Sequence, residues 1–384
     1  MKTKSRPVRQ HAGMIGNATI FLLFSIFCLE AIYAQEKNSM NIASAPPRVE
    51  IPNTQLRKIT SAIVQQEYDL YIHLPRGYGK TNDSYPVLYL LDAQWDFPLV
   101  TAIYGSQFYD GFLPGLVIVG ITWGGKNPNH DSLRARDLTP TNAAALRQSG
   151  GAPKFLAFIK KELIPFVESK YRVSDDRTLM GSSFGGLFTL YALFNETELF
   201  HRYVLTSPAL GWDNEVIYAY EKNYAEKRSQ LPARLFMAVG ELEGVAGFQK
   251  FVEHLKARNY QGLSLQTRIL ENTGHSGTKA EGYTRGLQAV FARPSLRLAP
   301  AILARYVGVY QLNPEVKITI SAENDRLLAL GPDNTQLVLH AETEKDFYVP
   351  GQFLFVHFKN DDTGRITGFQ LEQFSGEVFV KKVD

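Results

Sequence analysis

A long alternation of apolar, strand-like runs with helical segments limits the folds that this chain can adopt. "YPVLYLLD" (85–92) and "GLVIVGITW" (115–123) are continuous apolar runs, typical of strands covered on both faces. "PKFLAFIKKELIPFVESKY" (153–171) carries its apolar residues at helical spacing. Further strands and helices take turns as far as "KAEGYTRGLQAVFA" (279–292). The pattern predicts an α/β fold with a doubly wound, mostly parallel sheet.

The pattern changes near Pro294, where short segments begin to alternate apolar and polar residues. "VKITISAENDRLLAL" and "DFYVPGQFLFVHFKND" are examples, with turn residues between them. Such alternation is typical of antiparallel strands with one solvated face. We therefore predict an α/β-hydrolase domain at 51–297 and a small antiparallel all-β accessory domain at 298–384.

The first 34 residues have the pattern of a secretory signal peptide. A basic head precedes the short apolar run "ATIFLLFSIFCL", and the small residue Ala34 offers a cleavage point. We expect 1–34 to be removed, 35–50 to be a linker, and the protein to be exported to a bacterial periplasm or secreted. It would then have no stable membrane insertion, whereas the alternative is an uncleaved membrane anchor.

Charge and cysteine content exclude several classes of function. The formal net charge is +3, and the four basic residues of the leader against Glu30 account for all of it. The mature chain is thus near neutral and shows no basic, aromatic-interleaved stretch, so we expect no nucleic-acid partner. Cys28 is the single cysteine, so the mature protein has no disulfide and no cysteine nucleophile. An exported protein without disulfides fits a periplasm.

The stretch "LMGSSFGGLF" contains the candidate nucleophile. A serine hydroxyl needs a neighbouring base, and α/β hydrolases hold the serine on a tight strand-to-helix turn with the pattern G-x-S-x-G. Ser183 has Gly181 and Gly185 at the required positions, whereas Ser182 has glycine at neither. "RTLM" before the turn indicates a strand, and "FGGLFTLYALF" after it indicates a helix. Ser183 is therefore the predicted nucleophile.

The remaining triad members should follow in the order acid, then histidine, each after a later strand. His275 in "ENTGHSG" lies just beyond the predicted strand "LSLQTRIL" and is the predicted base. The strand "FMAVG" is followed by Glu241 and Glu243. We prefer Glu243 as the acid and leave Glu241 open, together with a Ser–His dyad that engages neither.

An oxyanion hole requires two backbone donors, and other side chains could line the substrate cleft. One donor is the residue after the nucleophile, Phe184. The other is expected from the loop after "VLYLLD", where we choose Gln94. Trp95, Trp123 and Trp212 could form an apolar groove, and Arg134 and Arg136 could offer cations to an anionic substrate.

At this point the chain resembles the esterase D-like branch of the α/β hydrolases, which includes enterochelin-type siderophore esterases, feruloyl and acetyl-xylan esterases and S-formylglutathione hydrolases. The resemblance covers roughly 51–293 and rests on "PVLYLLDAQWDF", "RDLTPT", "TLMGSSFGGLFTLYAL", "SPALGWDN", "VGELEG" and "GHSG". It implies Ser183 as nucleophile, His275 as base, an oxyanion contribution from the loop after Asp92, and Trp212 at the border of the site. Ala93 departs from the pattern, because many relatives have glycine there.

The sequence thus predicts a serine carboxylic-ester hydrolase that works through an acyl-enzyme on a siderophore-type or other small acyl ester. A carbohydrate-linked acyl (feruloyl or acetyl) esterase and an inactive binding protein on the same fold are the alternatives. Acyl transfer to an acceptor other than water would share the acyl-enzyme. We expect no cofactor and no metal, because His275 has no ligand-spaced partner. Oligomeric state is not encoded in any recognisable pattern.

Overall fold

A computed structural model describes residues 48–80, 82–144, 146 and 148–383. The chain divides into two compact units, Met1–Pro52 and Asn53–Asp384. The predicted signal peptide lies outside the described residues, and 48–50, at the end of the predicted linker, have no regular secondary structure. In the described ranges, no helix has the length and apolar content needed to cross a bilayer. All of the helices and strands in the described ranges lie in the second unit.

An eight-stranded sheet forms the centre of the larger part. Its order is β1-β2-β4-β3-β5-β6-β7-β8; β1 and β2 pair antiparallel, as do β2 and β4, and all other pairs are parallel. The prediction of a mostly parallel sheet is confirmed. The strands are β1 (Thr54–Ser61), β2 (Gln66–His73), β3 (Tyr85–Leu90), β4 (Val117–Trp123), β5 (Val173–Ser182), β6 (Arg202–Thr206), β7 (Gln230–Gly240) and β8 (Gln261–Leu270).

Helices cover the two faces of this sheet, as expected when parallel strands are joined by crossovers. The predicted helix 153–171 is interrupted: at Ile164 the backbone N–H donates to the carbonyl of Ile159, five residues back. Pro165 explains the interruption because it has no N–H to continue the regular ladder. The helices are α1 (Ala93–Tyr109), α2 (His130–Leu138), α3 (Ala152–Phe158), a π turn (Ile159–Leu163), α4 (Ile164–Lys170), α5 (Phe184–Asn195), α6 (Ile217–Ala225), α7 (Val245–Arg258), α8 (Thr278–Val290) and α9 (Pro300–Ala304).

Helix α8 lies close to the sheet because two of its glycines, Gly282 and Gly286, face β6. A Cβ added at Gly286 would lie 2.4 Å from Cγ1 of Val204, and one at Gly282 would lie 2.5 Å from Cγ2 of Thr206. Both distances are far below van der Waals contact, so no larger residue fits without displacement. This close packing fixes α8 against β6 and thereby fixes the loop that precedes α8 and contains His275.

The C-terminal part is an eight-stranded antiparallel barrel that closes on itself. The order runs β10-β11-β12-β13-β14-β15-β16-β9, and β9 pairs with β10 to complete the circle. Its interior is filled by buried aliphatic and aromatic side chains, and the aromatic ones include Tyr310, Phe347, Phe358 and Phe369. The predicted all-β class is confirmed, although closure was not foreseen. The strands are β9 (Gly308–Asn313), β10 (Val316–Glu323), β11 (Arg326–Leu330), β12 (Gln336–Ala341), β13 (Asp346–Tyr348), β14 (Leu354–Asn360), β15 (Ile366–Gln373) and β16 (Gly376–Lys382).

We predict that Gly286→Ala lowers the free energy of unfolding by about 1–2 kcal/mol, because overpacking against Val204 outweighs the gain in helix propensity. Gly247→Ala in α7 is the matched control: nothing lies within 4 Å of its added Cβ, so stability should rise by up to about 1 kcal/mol. Urea unfolding of both variants measures the difference. Equal stability of the two would contradict the close packing of α8.

Candidate active site

Ser183 occupies the turn between β5 and α5 in a backbone conformation that residues other than glycine seldom adopt. Its φ is 59° and its ψ is −117°, a strained geometry that costs on the order of 1–3 kcal/mol. The flanking glycines permit the turn: a Cβ at Gly181 would lie 2.6 Å from the carbonyl carbon of Gly185. The turn therefore has the geometry of a nucleophile elbow.

The two adjacent serines have different surroundings. The Ser182 side chain is buried, and its hydroxyl has no hydrogen-bond partner within the described part of the chain. Ser183 is partly exposed, and its main chain is tied to the end of β6: its N–H donates to the carbonyl of Thr206 (3.0 Å), and its carbonyl accepts from the N–H of Ala209 (3.1 Å). Of the two serines, Ser183 is the one presented to solvent.

Glu243 and His275 are brought together by the loops after β7 and β8. Nδ1 of His275 lies 2.5 Å from Oε2 of Glu243. A carboxylate can only accept, so Nδ1 carries the proton, and the lone pair of the neutral ring is left on Nε2. The other oxygen of Glu243, Oε1, accepts from the Ser207 hydroxyl (2.7 Å) and the Gly240 N–H (2.9 Å). The histidine is thus oriented with Nε2 available as a base.

The Glu243 carboxylate is held in its ionised form. Burial alone would raise its pKa, but hydrogen bonds from Ser207, His275 and the Gly240 N–H overcome that effect, and the pKa lies below its ordinary value. Glu241 is used elsewhere: Oε2 accepts from the N–H of Asn272 at 2.9 Å, in an exposed position. Of the two candidate acids, Glu243 contacts the histidine and Glu241 does not.

A second connection runs through Thr278, at the start of α8. Its Oγ1 donates to the carbonyl of His275 (2.7 Å) and lies 2.8 Å from Oγ of Ser207. Ser207 follows β6 directly, next to the residues that bind the backbone of Ser183. Within the described residues no direct hydrogen bond joins Oγ of Ser183 to His275, and such bonds often tighten only when substrate binds. Shared neighbours, not a direct contact, link the serine turn to the histidine loop.

The predicted oxyanion donors lie at the first turns of two helices. Asp92 adopts a left-handed conformation (φ 54°), and α1 begins directly after it. Gln94 is therefore in the first turn of a helix, and the expectation that it lies in a loop was wrong. Neither the Gln94 N–H nor the Phe184 N–H donates to an acceptor in the described ranges. Free N–H groups at helix N-termini favour a developing negative charge.

The side chains expected to line the substrate cleft differ in their surroundings. Trp95 is 49% exposed. Trp212 packs edge-on against Phe184 with ring centroids 5.2 Å apart, and its Nε1 donates to the Thr141 hydroxyl. Arg136 does not fit the expected role, because its guanidinium makes two hydrogen bonds to the buried carboxylate of Asp137. That carboxylate also accepts from two buried donors on β2 and β4, so the cluster holds α2 to the sheet.

One buried ionic cluster next to the site has no obvious signal in the sequence. Asp96, on α1, accepts from Nζ of Lys279 (2.6 Å) and from the Tyr283 hydroxyl (2.8 Å), both on α8. Burial raises the pKa of the Asp96 carboxyl above its ordinary value, against the effect of these hydrogen bonds. The cluster joins the helix that begins at the predicted oxyanion loop to the helix that follows His275.

Over the ranges that the structure describes, no three His, Cys, Asp or Glu side chains come together in an arrangement that could hold a metal ion.

This sheet, with a serine on a strained strand-to-helix turn and an acid–histidine pair after later strands, defines an α/β hydrolase. Residues 61–281 match the family model described as "Putative esterase", and residues 292–382 match a "Domain of unknown function (DUF3471)". The chain belongs to this esterase family and is an esterase.

Two curated relatives and two solved structures illustrate the similarity. Ferri-bacillibactin esterase BesA of Bacillus subtilis is 32% identical over 210 residues, covering 50% of this chain and 72% of the relative. Siderophore triacetylfusarinine C esterase of Aspergillus fumigatus is 34% identical over 147 residues, covering 37% and 50%.

Among structures, the BES protein from Bacillus cereus superposes with a TM-score of 0.59 at 25% identity, covering 65% of this chain and 98% of that one. An IroE-like serine hydrolase from Shewanella oneidensis gives 0.55 at 28% identity, covering 62% and 80%. Both similarities fall short of the full length of this chain.

We predict that Ser207→Ala lowers the free energy of unfolding at pH 7 by about 1.5–3 kcal/mol, because a charged acceptor loses a donor. Since the pKa of Glu243 is lowered by folding, this stabilisation is present above its unfolded pKa of about 4.3 and is lost as pH falls through the folded pKa. Urea unfolding at pH 7 and pH 3.5 should therefore show the difference from wild type shrinking in acid. Ser169→Ala should show a small effect at both pH values, because within the described part of the chain the Ser169 hydroxyl donates only to the carbonyl of Phe166.

Proposed function

We propose that the protein is a serine esterase in which Ser183 is the nucleophile, His275 the general base and Glu243 the orienting acid. The observation that carries the proposal is the hydrogen bond from Nδ1 of His275 to Glu243, because it leaves Nε2 as a base on the side of the sheet where Ser183 occupies its strained turn. Oriented this way, the imidazole can remove the serine proton and the carboxylate can stabilise the imidazolium that forms.

The reaction would proceed in two halves. Nε2 of His275 takes the hydroxyl proton as Oγ of Ser183 attacks the ester carbonyl, and the negative charge on the carbonyl oxygen is stabilised by the N–H groups of Phe184 and Gln94. The imidazolium then gives its proton to the leaving alkoxide, which departs as an alcohol and leaves an acyl-enzyme. In the second half, His275 deprotonates a water, which releases the acid and restores the serine.

We predict that Ser183→Ala and Glu243→Gln each lower kcat for p-nitrophenyl acetate, the second by about 10²–10⁴-fold, because the histidine loses its orientation and charge partner. Glu241→Gln is the matched control and should stay near wild type, since among the described residues its carboxylate binds only the Asn272 N–H. Equal losses of kcat for the two glutamate variants would show that Glu243 is not the triad acid. Fluorophosphonate labelling that persists in Ser183→Ala would show that Ser183 is not the nucleophile.

A siderophore-type ester is the substrate that we propose. Two relatives above 30% identity are named for esters of this class, ferri-bacillibactin and triacetylfusarinine C. The site is open enough for a bulky ester, since the His275 side chain is 53% exposed. Trp95, half exposed in the first turn of α1, gives an aromatic surface for catechol or acyl groups. The same surface would suit a feruloyl group, so an ester of a hydroxycinnamate is the second candidate.

A substrate panel distinguishes the two. We expect kcat/KM for a catecholate trilactone to exceed that for a methyl hydroxycinnamate by about tenfold or more, because binding energy from the distant parts of a matched substrate lowers the barrier. Ser183→Ala measured with each substrate corrects for background hydrolysis. The opposite preference would favour the hydroxycinnamate esterase, and activity on p-nitrophenyl acetate alone would leave neither natural substrate supported.

We also propose that the esterase acts outside the cytoplasm. The basic head, the short apolar run and Ala34 support this location.

A further inference from the structure

A cavity of about 450 Å³ opens at one end of the C-terminal barrel. It lies at the end where β10 turns into β11 and where β12 leads to β13, and residues 295–297 form part of its lining. The mouths of β-barrels are frequent positions for small-molecule sites, and cavities of this size can hold such molecules. Among the described residues that line it, none takes part in the proposed ester hydrolysis. The cavity is therefore separate from the candidate active site.

The floor of the cavity is apolar and belongs to the core of the barrel. Five of the lining side chains are at most 5% exposed and are members of the buried core cluster: Leu303, Leu327, Leu339, Ala341 and Phe347. The first comes from α9, and the others come from β11, β12 and β13. An apolar group that entered the cavity would be removed from water against this floor, which is favourable.

Hydrogen bonds hold one wall of the cavity in place. The N–H of Leu296 donates to the carbonyl of Ala341 (2.8 Å), and Oγ of Ser295 lies 2.9 Å from Nδ1 of His340. Both bonds join the segment 295–297 to the end of β12. The wall thus has a fixed position relative to the floor.

The mouth of the cavity carries two arginines that are free to bind an anion. Arg297 and Arg326 line it and are exposed, and within the described part of the chain neither forms an ion pair, although Glu323 and Asp325 line the same mouth. The charge of Arg326 reaches the cavity, because burial and this charge together lower the pKa of His340. With His340 neutral, the two arginines and the two acids balance, so the mouth suits one negative charge better than several.

We propose that this cavity binds a small monocarboxylate with an apolar body. The body would lie against the floor, and the carboxylate would accept from the guanidinium groups of Arg297 and Arg326. A guanidinium offers parallel N–H donors that match a carboxylate, and such charge-assisted hydrogen bonds are stronger than neutral ones. The class includes aryl carboxylates and medium-chain alkyl carboxylates. The proposal goes beyond ester hydrolysis and does not depend on it, because the cavity lies in the barrel.

Calorimetric titration of the full chain with sodium benzoate and with sodium octanoate tests the proposal and distinguishes an aryl from an alkyl body. Benzamide is the uncharged counterpart of benzoate. Each titration is repeated after treatment with a fluorophosphonate, so that a carboxylate bound at the active-site serine is recognised.

The variants are Arg297→Gln and Arg326→Gln, with Arg365→Gln as the matched control. Arg365 is also an exposed arginine of the barrel, in the loop between β14 and β15, but it does not line the cavity. All three variants should keep the melting temperature of wild type and its kcat for p-nitrophenyl acetate, since none of the three residues belongs to the hydrolase site.

We expect at least one of the two acids to bind with a Kd below about 1 mM, and benzamide to bind at least about tenfold more weakly than benzoate. Arg297→Gln and Arg326→Gln should each raise the Kd about tenfold, because a charge-assisted hydrogen bond is lost. Arg365→Gln should leave the Kd within about twofold of wild type. Tighter binding of benzoate would identify an aryl body, and tighter binding of octanoate an alkyl body.

Four results would overturn the proposal: no Kd below about 1 mM for either acid, equally tight binding of benzamide and benzoate, an unchanged Kd in either cavity variant, or loss of binding after fluorophosphonate treatment. Failure of the proposed esterase function would look different, because it would appear in the activity of Ser183→Ala, and this variant should bind the acids as wild type does.

Discussion

The close approach of β5 and α5 at Gly181 and Gly185 is the contact on which the candidate site depends. A single methyl group at Gly181 would lie 2.6 Å from the backbone of Gly185, so the turn that presents Ser183 exists only while that position carries no side chain. The strained φ of Ser183 persists because the surrounding hydrogen bonds to Thr206 and Ala209 hold it. The geometry for nucleophilic attack is thus built into the backbone before any substrate arrives.

The remaining parts of the site follow from the direction of the sheet. Strands β5 to β8 are parallel, so the loops that follow them meet along one edge, and the chain places a serine, a second serine, a glutamate and a histidine on successive loops. Buried bridges then fix the helices around this edge: Asp96 joins α1 to α8, and Asp92 joins the start of α1 to α2. The carboxyl ends of the strands carry the reactive groups, whereas the helices and their ion pairs hold those groups in position.

Much of this could be predicted from the sequence, and the exceptions have physical reasons. The alternation of segments gave the parallel sheet, and Ser183 followed from the spacing of its glycines. The choice between Glu241 and Glu243 could not be derived, because two positions in one loop differ only in the direction of their side chains. The edge strand β1 was missed since most of its residues are polar and half of them are exposed. Pairs such as Asp92 and Arg134, which are 42 residues apart, leave no local pattern.

Closure of the C-terminal barrel was also not predictable, because sandwiches and barrels share the same alternation of apolar and polar residues. The boundaries 51–297 and 298–384 stay predictions.

Closure of the barrel limits which surfaces of the C-terminal domain another molecule could contact. Eight strands pair in a full circle, and aromatic rings such as Phe358 and Phe369 are buried in its core, so a molecule could enter the core only by displacing them. Every strand of the circle has a neighbour on both sides, although β16 pairs with β9 only through Lys381 and Lys382. Recognition by this domain would have to use its outer wall or the loops at its rims.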